Sequence, residues 1–450
     1  MASSGLLRAI AISNDFRGPG APDRVQKGNR LYQKTVLSNG IRVLTEKIPY
    51  VHSVATGIWV GAGSRDECEN ERGVTHFIEH MLFKGTQRRS ALDIAKEFDS
   101  VGGFANAFTS KEHVCFHAKI LDTHLPLVTD ILTDIFLNSV FAPEEIEREQ
   151  QVILQEIRMI EDTPDEYVHI LFQEAFWKNN PLGLPIYGSA ESVESIDRER
   201  MLRYLGRAFR PERIVIAAAG NLEHERFIDL IAPHMEVLNH SGEPVRRETP
   251  SDHRHIGIIA KDLEQVHLCL GFQGTSLVDE NRLACHLLNV ILGSSMSSRL
   301  FQEVREKRGL AYSVYSFVNS HVDTGMLGIY AGIAPENVQE TLKLLREQLS
   351  LLASQPIPDA ELNAAKEYLR GSMYLNAEST DSRMNRLAKN EYLFGRHVPF
   401  EEVEIRIRQV TPEAVLTWFR EAYHPSRVSL MLFGPTEMEA AEAEKAILEG

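Results

Sequence analysis

The segment Gly73–Gly85 reads Gly-Val-Thr-His-Phe-Ile-Glu-His-Met-Leu-Phe-Lys-Gly and contains two histidines, His76 and His80, four residues apart. If the segment is helical, these histidines lie on one face, one turn apart. Two imidazoles in that arrangement can hold one metal ion, and zinc is the ion that such nitrogen and oxygen ligands favour. Glu79 lies at the edge of the same face. It could therefore reach a metal-bound water without occupying a metal position itself.

The neighbours of the two histidines indicate that this helix is largely buried. Phe77, Ile78 and Met81 are apolar, as are the two residues after Met81. Buried histidine and glutamate side chains need polar partners, and a shared metal ion would satisfy all three. The alternative is a pair of exposed histidines and a solvated glutamate on an amphipathic helix, which the pentapeptide alone does not exclude. The order H-x-x-E-H is the inverzincin signature.

The composition is that of an ordinary globular protein with more than one domain. At 450 residues the chain is too long for a single core, and its 43% hydrophobic and 25% charged residues are ordinary proportions. The net charge of -15 argues against nucleic acid as a partner. The four cysteines are isolated, with no C-x-x-C pair. They favour free thiols in a reducing compartment.

The first 30 residues are interpreted as a loose N-terminal extension. Their short apolar block is followed by polar residues without a clean cleavage site, which gives little support to a secretory signal. No apolar run in the chain approaches the length of a membrane span. We therefore expect a cytoplasmic protein. The mitochondrial matrix is the alternative, because Arg8 with no acid before Asp15 faintly resembles a presequence.

Local patterns predict both strands and helices in the first half of the chain. Strands are predicted at 32–36, 41–45, 53–59, 104–120 and 214–219, and helices at 73–84, 91–101, 123–138, 143–161 and 164–177. The turn Ser38-Asn39-Gly40 is typical of a hairpin. Residues 236–254 are polar and rich in turn formers, so they are the best candidate for a linker.

The pattern of the first half recurs in the second half. Ala284–Leu292 reads like Val74–Leu82 at an offset of 210 residues, and the helix that begins near Pro358 answers the one that begins at Pro143. In this register His286 stands where His76 stands. The positions of Glu79 and His80, by contrast, are taken by Asn289 and Val290. Two halves of one plan are predicted, and only the first carries the full set of metal-type residues.

A zinc ion with two histidines needs a third protein ligand. Glu149 and Glu156 are candidates, because they are seven residues apart and share a face of the helix after Pro143. In the second half their positions are taken by Ala364 and Gly371, so the carboxylates are lost together with His80 and Glu79. This joint loss indicates that the residues act as a unit. The alternative is that both glutamates are solvated helix residues.

Together these motifs resemble the M16 (pitrilysin/insulinase) family of zinc peptidases. The likeness is strongest to its two-domain type, which includes the mitochondrial processing peptidase β subunit and its bacterial relatives. The resemblance covers the chain from about residue 31 onward and implies that zinc is held by His76, His80 and Glu156. In the family the third ligand follows the second histidine by 76 residues, as Glu156 follows His80. Glu149 matches a second glutamate that is thought to help the site.

The resemblance also implies the architecture. An α+β fold is expected, with two homologous domains that are each a mainly antiparallel β-sheet flanked by helices. Residues 31–235 would be the zinc-binding peptidase domain, 236–256 the linker and 257–450 the second, zinc-less domain.

Two further motifs point to substrate contacts. Gly102–Thr109 resembles the family's edge strand, which pairs with an extended peptide; its predicted substrate residues are Phe104, Ala105, Asn106 and Ala107. Main-chain pairing of this kind gives affinity with little demand on the substrate's sequence. Asn106 and Ala107 would hold the peptide backbone. The alternative is an ordinary internal strand.

In the second half, Arg305 and Tyr312 resemble the family's Arg/Tyr pair, seven residues apart, and would bind the substrate carbonyl opposite the zinc. The glycine-rich loop of the mitochondrial α subunit is reduced here to residues 292–298. Because one chain carries both the zinc motif and the Arg/Tyr pair, a homodimer is expected in which each zinc half faces the partner's second half. By resemblance, Glu166 is a candidate for binding arginine in the substrate, although a solvated turn explains it equally well.

The predicted function is a zinc endopeptidase that cleaves extended or unfolded peptides, or presequences, in a closed chamber. Glu79 would take a proton from the attacking water and pass it to the leaving amine. The alternatives are a non-catalytic structural or assembly subunit and a protein that binds peptides without cutting them. A second possible ligand trio, His113, Cys115 and His117, alternates along one strand and is interpreted as an ordinary strand face.

Overall fold

The strands of the computed structural model form two mixed sheets. The structure describes residues 31–239, 246–251 and 254–448, so the predicted extension at residues 1–30 lies outside the described residues. The first sheet contains β1 Tyr32–Val36, β2 Arg42–Lys47, β3 Ser53–Val60, β4 Phe104–Thr109, β5 Val114–Leu121 and β6 Ile214–Gly220. The second contains β7 Ile256–Ala260, β8 Val266–Gln273, β9 Ala311–Ser320, β10 Gly325–Ile333 and β11 Ser429–Gly434.

The two sheets repeat one topology. The first has the strand order β1-β2-β6-β3-β5-β4 and the second β7-β11-β8-β10-β9, so the last five strands of the first sheet match the second sheet one by one. The pairs β2–β6 and β7–β11 are parallel, and the other neighbouring pairs are antiparallel. This confirms the predicted α+β fold with two similar, mainly antiparallel sheets.

Helices flank both sheets. Those of the first half are α1 Val74–Leu82, α2 Ala91–Ser100, α3 Leu125–Asn138, α4 Pro143–Glu161, α5 Pro164–Phe176, α6 Ala190–Ser195, α7 Arg198–Ala208 and α8 His224–Met235. Those of the second are α9 Arg282–Asn289, α10 Val338–Ser354, α11 Asp359–Asn376, α12 Thr380–Phe394, α13 Phe400–Gln409, α14 Pro412–Ala422 and α15 Ala440–Leu448. The helix α9 continues into a π-helical turn at Val290–Ser294, and a second π-helical turn spans Phe301–Glu306.

The prediction of one strand over residues 104–120 is wrong. The structure has a hairpin there, in which the N–H of Ser110 donates to the carbonyl of His113 at 2.7 Å and closes the turn between β4 and β5. The alternation of side chains runs through both arms of a hairpin, and this turn contains no glycine or proline to mark it. As a result β4 lies at the edge of the first sheet, with β5 as its neighbour.

The two halves exchange one helix each. From the first half, α5 contributes Phe172 to an apolar cluster on the second sheet that also contains Cys269. From the second half, α12 contributes Leu387 to an apolar cluster on the first sheet that also contains Trp59. A sheet needs apolar cover on both faces when neither face is solvated. Each half therefore supplies part of the cover for the other half's sheet.

The predicted linker is partly packed against the first half. Residues 240–245 and 252–253 lie outside the described part of the chain, but Arg247 donates to both carboxylate oxygens of Asp66, at 2.8 and 2.9 Å. Nearby, the guanidinium of Arg65 binds Glu112 in the first half and Asp323 in the second, at 2.9 and 2.6 Å. The described linker segment thus belongs to an ion-pair network that joins the halves.

Within the described part of the chain, no helix combines the length and apolar character that crossing a bilayer requires.

Candidate metal centre and active site

The site is built on α1, which is fixed firmly at its N-terminus. Gly73 precedes the helix with a φ of +87°, and a Cβ at this position would lie 2.5 Å from the carbonyl oxygen of Tyr187. Only glycine fits both constraints. The carboxylate of Glu67 accepts the N–H groups of Gly73 and Thr75, both at 2.8 Å. These bonds satisfy donors that a helix start leaves open.

The apolar side of α1 is buried, so its histidines are turned toward α4. Phe77, Ile78, Met81 and Leu82 are at most 1% exposed. His76 and His80 are half-buried, with ring centroids 4.7 Å apart. The amphipathic pattern of α1 therefore decides where the two imidazoles point.

Three potential metal ligands converge between α1 and α4. Nε2 of His76 lies 3.7 Å from one carboxylate oxygen of Glu156, and Nε2 of His80 lies 3.7 Å from the other. The three ligand atoms lie within 4.8 Å of one another. These separations are too long for hydrogen bonds. They suit donors that surround one ion, because zinc ligands at about 2.0–2.2 Å in a tetrahedron lie roughly 3.3–3.6 Å apart.

This group is unique within the described residues. No other set of three or more His, Cys, Asp or Glu side chains in the ranges that the structure covers could hold a metal ion. The predicted trio of His113, Cys115 and His117 does not form one: His113 has its ring against Tyr392, while Cys115 is buried in the cluster beneath α12. In the second half, the side-chain amide of Asn289 donates to Ser294.

Glu149 lies behind His80. Its Oε2 is 3.1 Å from Nδ1 of His80, and its Oε1 is 2.6 Å from Nζ of Lys84. Glu149 is only 3% exposed, so these contacts satisfy a buried carboxylate. A proton on Nδ1 of His80 leaves Nε2 as a lone-pair donor on the side of Glu156.

The electrostatics of the site suit a metal ion. Burial, with a smaller contribution from His80, lowers the pKa of His76 to about 4. His76 is therefore neutral at pH 7, the form that binds metals. Its Nδ1 is buried without a hydrogen-bond partner in the described part of the structure. Nitrogen and oxygen donors, a neutral imidazole and a carboxylate behind the second histidine together fit zinc.

Glu79 lies between this group and the edge strand. Burial raises the pKa of Glu79, and a hydrogen bond from Thr109 opposes that shift. The hydroxyl of Thr109 donates to Oε2 of Glu79 at 2.6 Å. The sequence analysis did not single out Thr109. Its position in β4, two residues after Ala107 and so on the same strand face, is the signal that could have found it.

The predicted substrate residues lie along β4. Phe104 and Asn106 are exposed, whereas Ala105 and Ala107 pack on the first core. The side-chain oxygen of Asn106 accepts the N–H of Ala107 at 2.9 Å. One main-chain donor of the strand is thus bound by a side chain that a peptide could displace.

The remaining predicted residues lie elsewhere. The guanidinium of Arg305 stacks on the ring of Tyr312 at 4.7 Å, and Tyr312 is 79% exposed at the start of β9. No contact among the described residues joins this pair to the histidines. Glu166 is exposed in the first turn of α5. The structure thus brings the zinc-type residues together but does not bring the Arg/Tyr pair to them within one chain.

Known proteins resemble this chain along almost its whole length. The family model for insulinase (peptidase family M16) matches residues 42–190, and the model for the peptidase M16 inactive domain matches residues 195–369. An uncharacterized zinc protease of Streptomyces coelicolor is 40% identical over 98% of this chain and 98% of its own.

Solved structures share the fold. A protease from Helicobacter pylori superposes with a TM-score of 0.83 at 18% identity, covering 90% of this chain and 99% of its own. A chain of complex III2 from Candida albicans superposes with a TM-score of 0.79 at 21% identity, covering 92% and 99%. The same fold is therefore found in a protease and in a chain of complex III2.

Proposed function

The chain belongs to the M16 family of peptidases, and on that premise we propose that it is a zinc-dependent endopeptidase that cleaves extended or unfolded peptides. The observation that carries the proposal is the convergence of His76, His80 and Glu156, whose ligand atoms lie within 4.8 Å of one another. These three residues would hold the zinc ion. When bound, zinc lowers the pKa of a coordinated water and polarises a carbonyl group.

Glu79 would serve as the general base. Its carboxylate lies beside the proposed ligands without belonging to the group, and partial burial raises its pKa. A raised pKa brings a carboxylate closer to the operating pH, which favours proton transfer in both directions. Glu79 would accept a proton from water and deliver it to the nitrogen of the departing amine.

The substrate would bind as an added strand on β4. This edge is free in the described sheet, and Phe104 and Asn106 are exposed along it. Main-chain pairing would explain a requirement for extended peptides, because a folded segment cannot present its backbone to a sheet edge. Glu166, exposed at the start of α5, would bind arginine side chains of such peptides.

We propose a homodimer with shared sites. Arg305 and Tyr312 are preassembled by stacking, yet they have no contact with the zinc-type residues among the described parts of one chain. In a two-fold dimer the pair would reach the zinc half of the partner and donate to the scissile carbonyl oxygen. Such an arrangement would enclose the substrate in a chamber.

We further propose that residues 31–235 are the catalytic domain, 236–256 the linker and 257–450 the zinc-less domain. The four free cysteines, three of them buried, and the bacterial origin of the relatives support a reducing compartment, the bacterial cytoplasm.

The competing function is a structural or peptide-binding subunit, and the likeness to a chain of complex III2 favours it on fold alone. The complete set of metal-type ligands argues against this function. A purely structural subunit does not require three converging ligands with a carboxylate hydrogen-bonded to one of them.

The decisive experiment compares the zinc-loaded chain with Glu79→Gln on a peptide library read by mass spectrometry. We expect the variant to keep its zinc while cleavage falls by roughly 10²–10⁴-fold. Binding of peptides by the wild-type chain without cleavage would support a peptide-binding protein instead. Equal turnover by both chains would remove Glu79 from the reaction.

A further inference from the structure

The hydrogen bond between Thr109 and Glu79 joins the proposed substrate strand to the proposed base. The Thr109 hydroxyl donates to Oε2 of Glu79 at 2.6 Å, which is short, as expected for a neutral donor on a carboxylate. Among the described residues, Thr109 is the only side chain with a hydrogen bond to the Glu79 carboxylate. The backbone N–H of Thr109 is a second donor near the same carboxylate, so the orientation of Glu79 depends on Thr109.

Thr109 is held by the strand and not by the helix. It is the last residue of β4 and pairs with Val114, the first residue of β5. Alternation along the strand places Thr109 on the face of Ala105 and Ala107, which packs toward α1. The strand that would pair with a peptide is therefore also the strand that positions this hydroxyl.

The second half provides an internal comparison. Ser320 ends β9 and pairs with Gly325, as Thr109 ends β4 and pairs with Val114. The hydroxyl of Ser320 donates to the carbonyl of Thr275, and Asn289, at the position of Glu79, binds Ser294 instead. The same fold thus holds its edge strand and helix together without this contact. The Thr109–Glu79 bond is present only in the half with the metal-type residues.

We infer that Thr109 is a positioning residue that fixes the Glu79 carboxylate from the strand on which the peptide would pair. This inference rests on the proposed function. Thr109 does not touch the reacting atoms; it acts through Glu79. Its loss should therefore slow turnover and leave peptide binding and metal binding intact.

The test uses Thr109→Val, which keeps the shape and removes the donor, and Thr109→Ser, which restores it. We expect kcat for a fluorogenic peptide to fall about 10- to 100-fold in Thr109→Val with KM within about twofold, since a small misplacement of a catalytic group has effects of this size. Thr109→Ser should recover most of kcat. Thr129→Val is the matched control, because its buried hydroxyl has no hydrogen-bond partner among the described residues.

Three readouts do not need activity. Zinc content and the affinity of the metal-free chain for a fluorescein-labelled form of the same peptide should match the wild type in Thr109→Val. A crystal structure of the metal-free variant should show Glu79 displaced. An unmoved Glu79, an unchanged kcat, or a raised KM at unchanged kcat would each overturn the inference. If the wild-type chain cleaves nothing, the proposed function fails, while the crystal structure still decides whether Thr109 positions Glu79.

Discussion

The Oε2 atom of Glu149 lies 3.1 Å from Nδ1 of His80, while Nε2 of the same ring faces Glu156. His80 is thus placed between two carboxylates, one on each ring nitrogen. Lys84 compensates the buried charge of Glu149 at 2.6 Å. A carboxylate that accepts the second N–H of a ligating histidine fixes the ring and raises its basicity. Glu149 would therefore act on the proposed metal ion through His80.

Glu149→Gln should weaken zinc binding about 10- to 100-fold, because the carboxylate behind His80 is lost while its shape is kept. The affinity is measured by competition with a chromogenic chelator. Glu147→Gln is the control, since Glu147 is exposed on the same helix. Equal zinc affinity in Glu149→Gln and the wild type would show that His80 does not need this partner.

Gly73→Ala should destabilise the protein and weaken zinc binding together. The residue needs a φ of +87°, and its Cβ would lie 2.5 Å from Tyr187 O, so the start of α1 must shift. The strain alone costs about 1–3 kcal/mol. Gly206→Ala is the matched control: it lies inside α7 with no atom within 4 Å of the new Cβ, and alanine there should add about 0.5–1 kcal/mol of stability. Thermal unfolding of both variants shows whether each substitution lowers or raises the stability. A Gly73→Ala chain as stable as the wild type would refute the argument.

Stability should fall between pH 7 and pH 5.5 in a way that depends on His321. Burial, together with nearby Arg65 and Lys111, lowers the pKa of His321 to about 3. In the unfolded chain His321 takes up a proton near pH 6.5, whereas in the folded chain it stays neutral at that pH. Its contribution to the free energy of unfolding is therefore present above about pH 6.5 and is lost as the pH falls below that value. One such group costs about 1 kcal/mol at pH 5.5.

His321→Asn should therefore flatten the fall of the melting temperature over this interval, whatever its effect at pH 7. The exposed His52 offers the control His52→Asn. An identical pH dependence in His321→Asn and the wild type would mean that His321 is protonated in the folded protein.

Hybrid dimers should recover the activity that two variants lack separately. Glu79→Gln damages the zinc half and Arg305→Ala the second half, so a hybrid has one intact site if each site uses both chains. Hybrids purified through two different affinity tags should show roughly half of the wild-type activity per dimer. Inactive hybrids, or a fully active monomer in sedimentation at micromolar concentration, would exclude shared sites.

The local part of the site could be predicted from the sequence because helical spacing fixes it. His76 and His80 share a face through the four-residue interval, and Glu149 and Glu156 through the seven-residue interval. The loss of Glu79 and His80 in the repeat located the metal-type half. Long-range partners follow no such interval. The contact of Thr109 with Glu79 depends on how β4 is packed against α1, and the sequence analysis did not identify it.

The fold was predictable as a class and less so in its connections. The repeat correctly indicated two similar sheets, since strands and helices recur in the same order in both halves. The hairpin between Thr109 and Val114 was missed because its turn lacks glycine and proline. The exchange of α5 and α12 could not be predicted either. An apolar helix face indicates that the helix packs against something, but it does not indicate which sheet is the partner.

The exchanged helices have a consequence for synthesis on the ribosome. The back of the first sheet is covered by α12, which ends at Phe394, long after Gly220 has completed that sheet. At 5–20 residues per second the nascent chain spends roughly 10–35 s with Trp59 and its neighbours uncovered. During that interval the growing chain exposes an apolar sheet face, to which a chaperone could bind until α12 is synthesised.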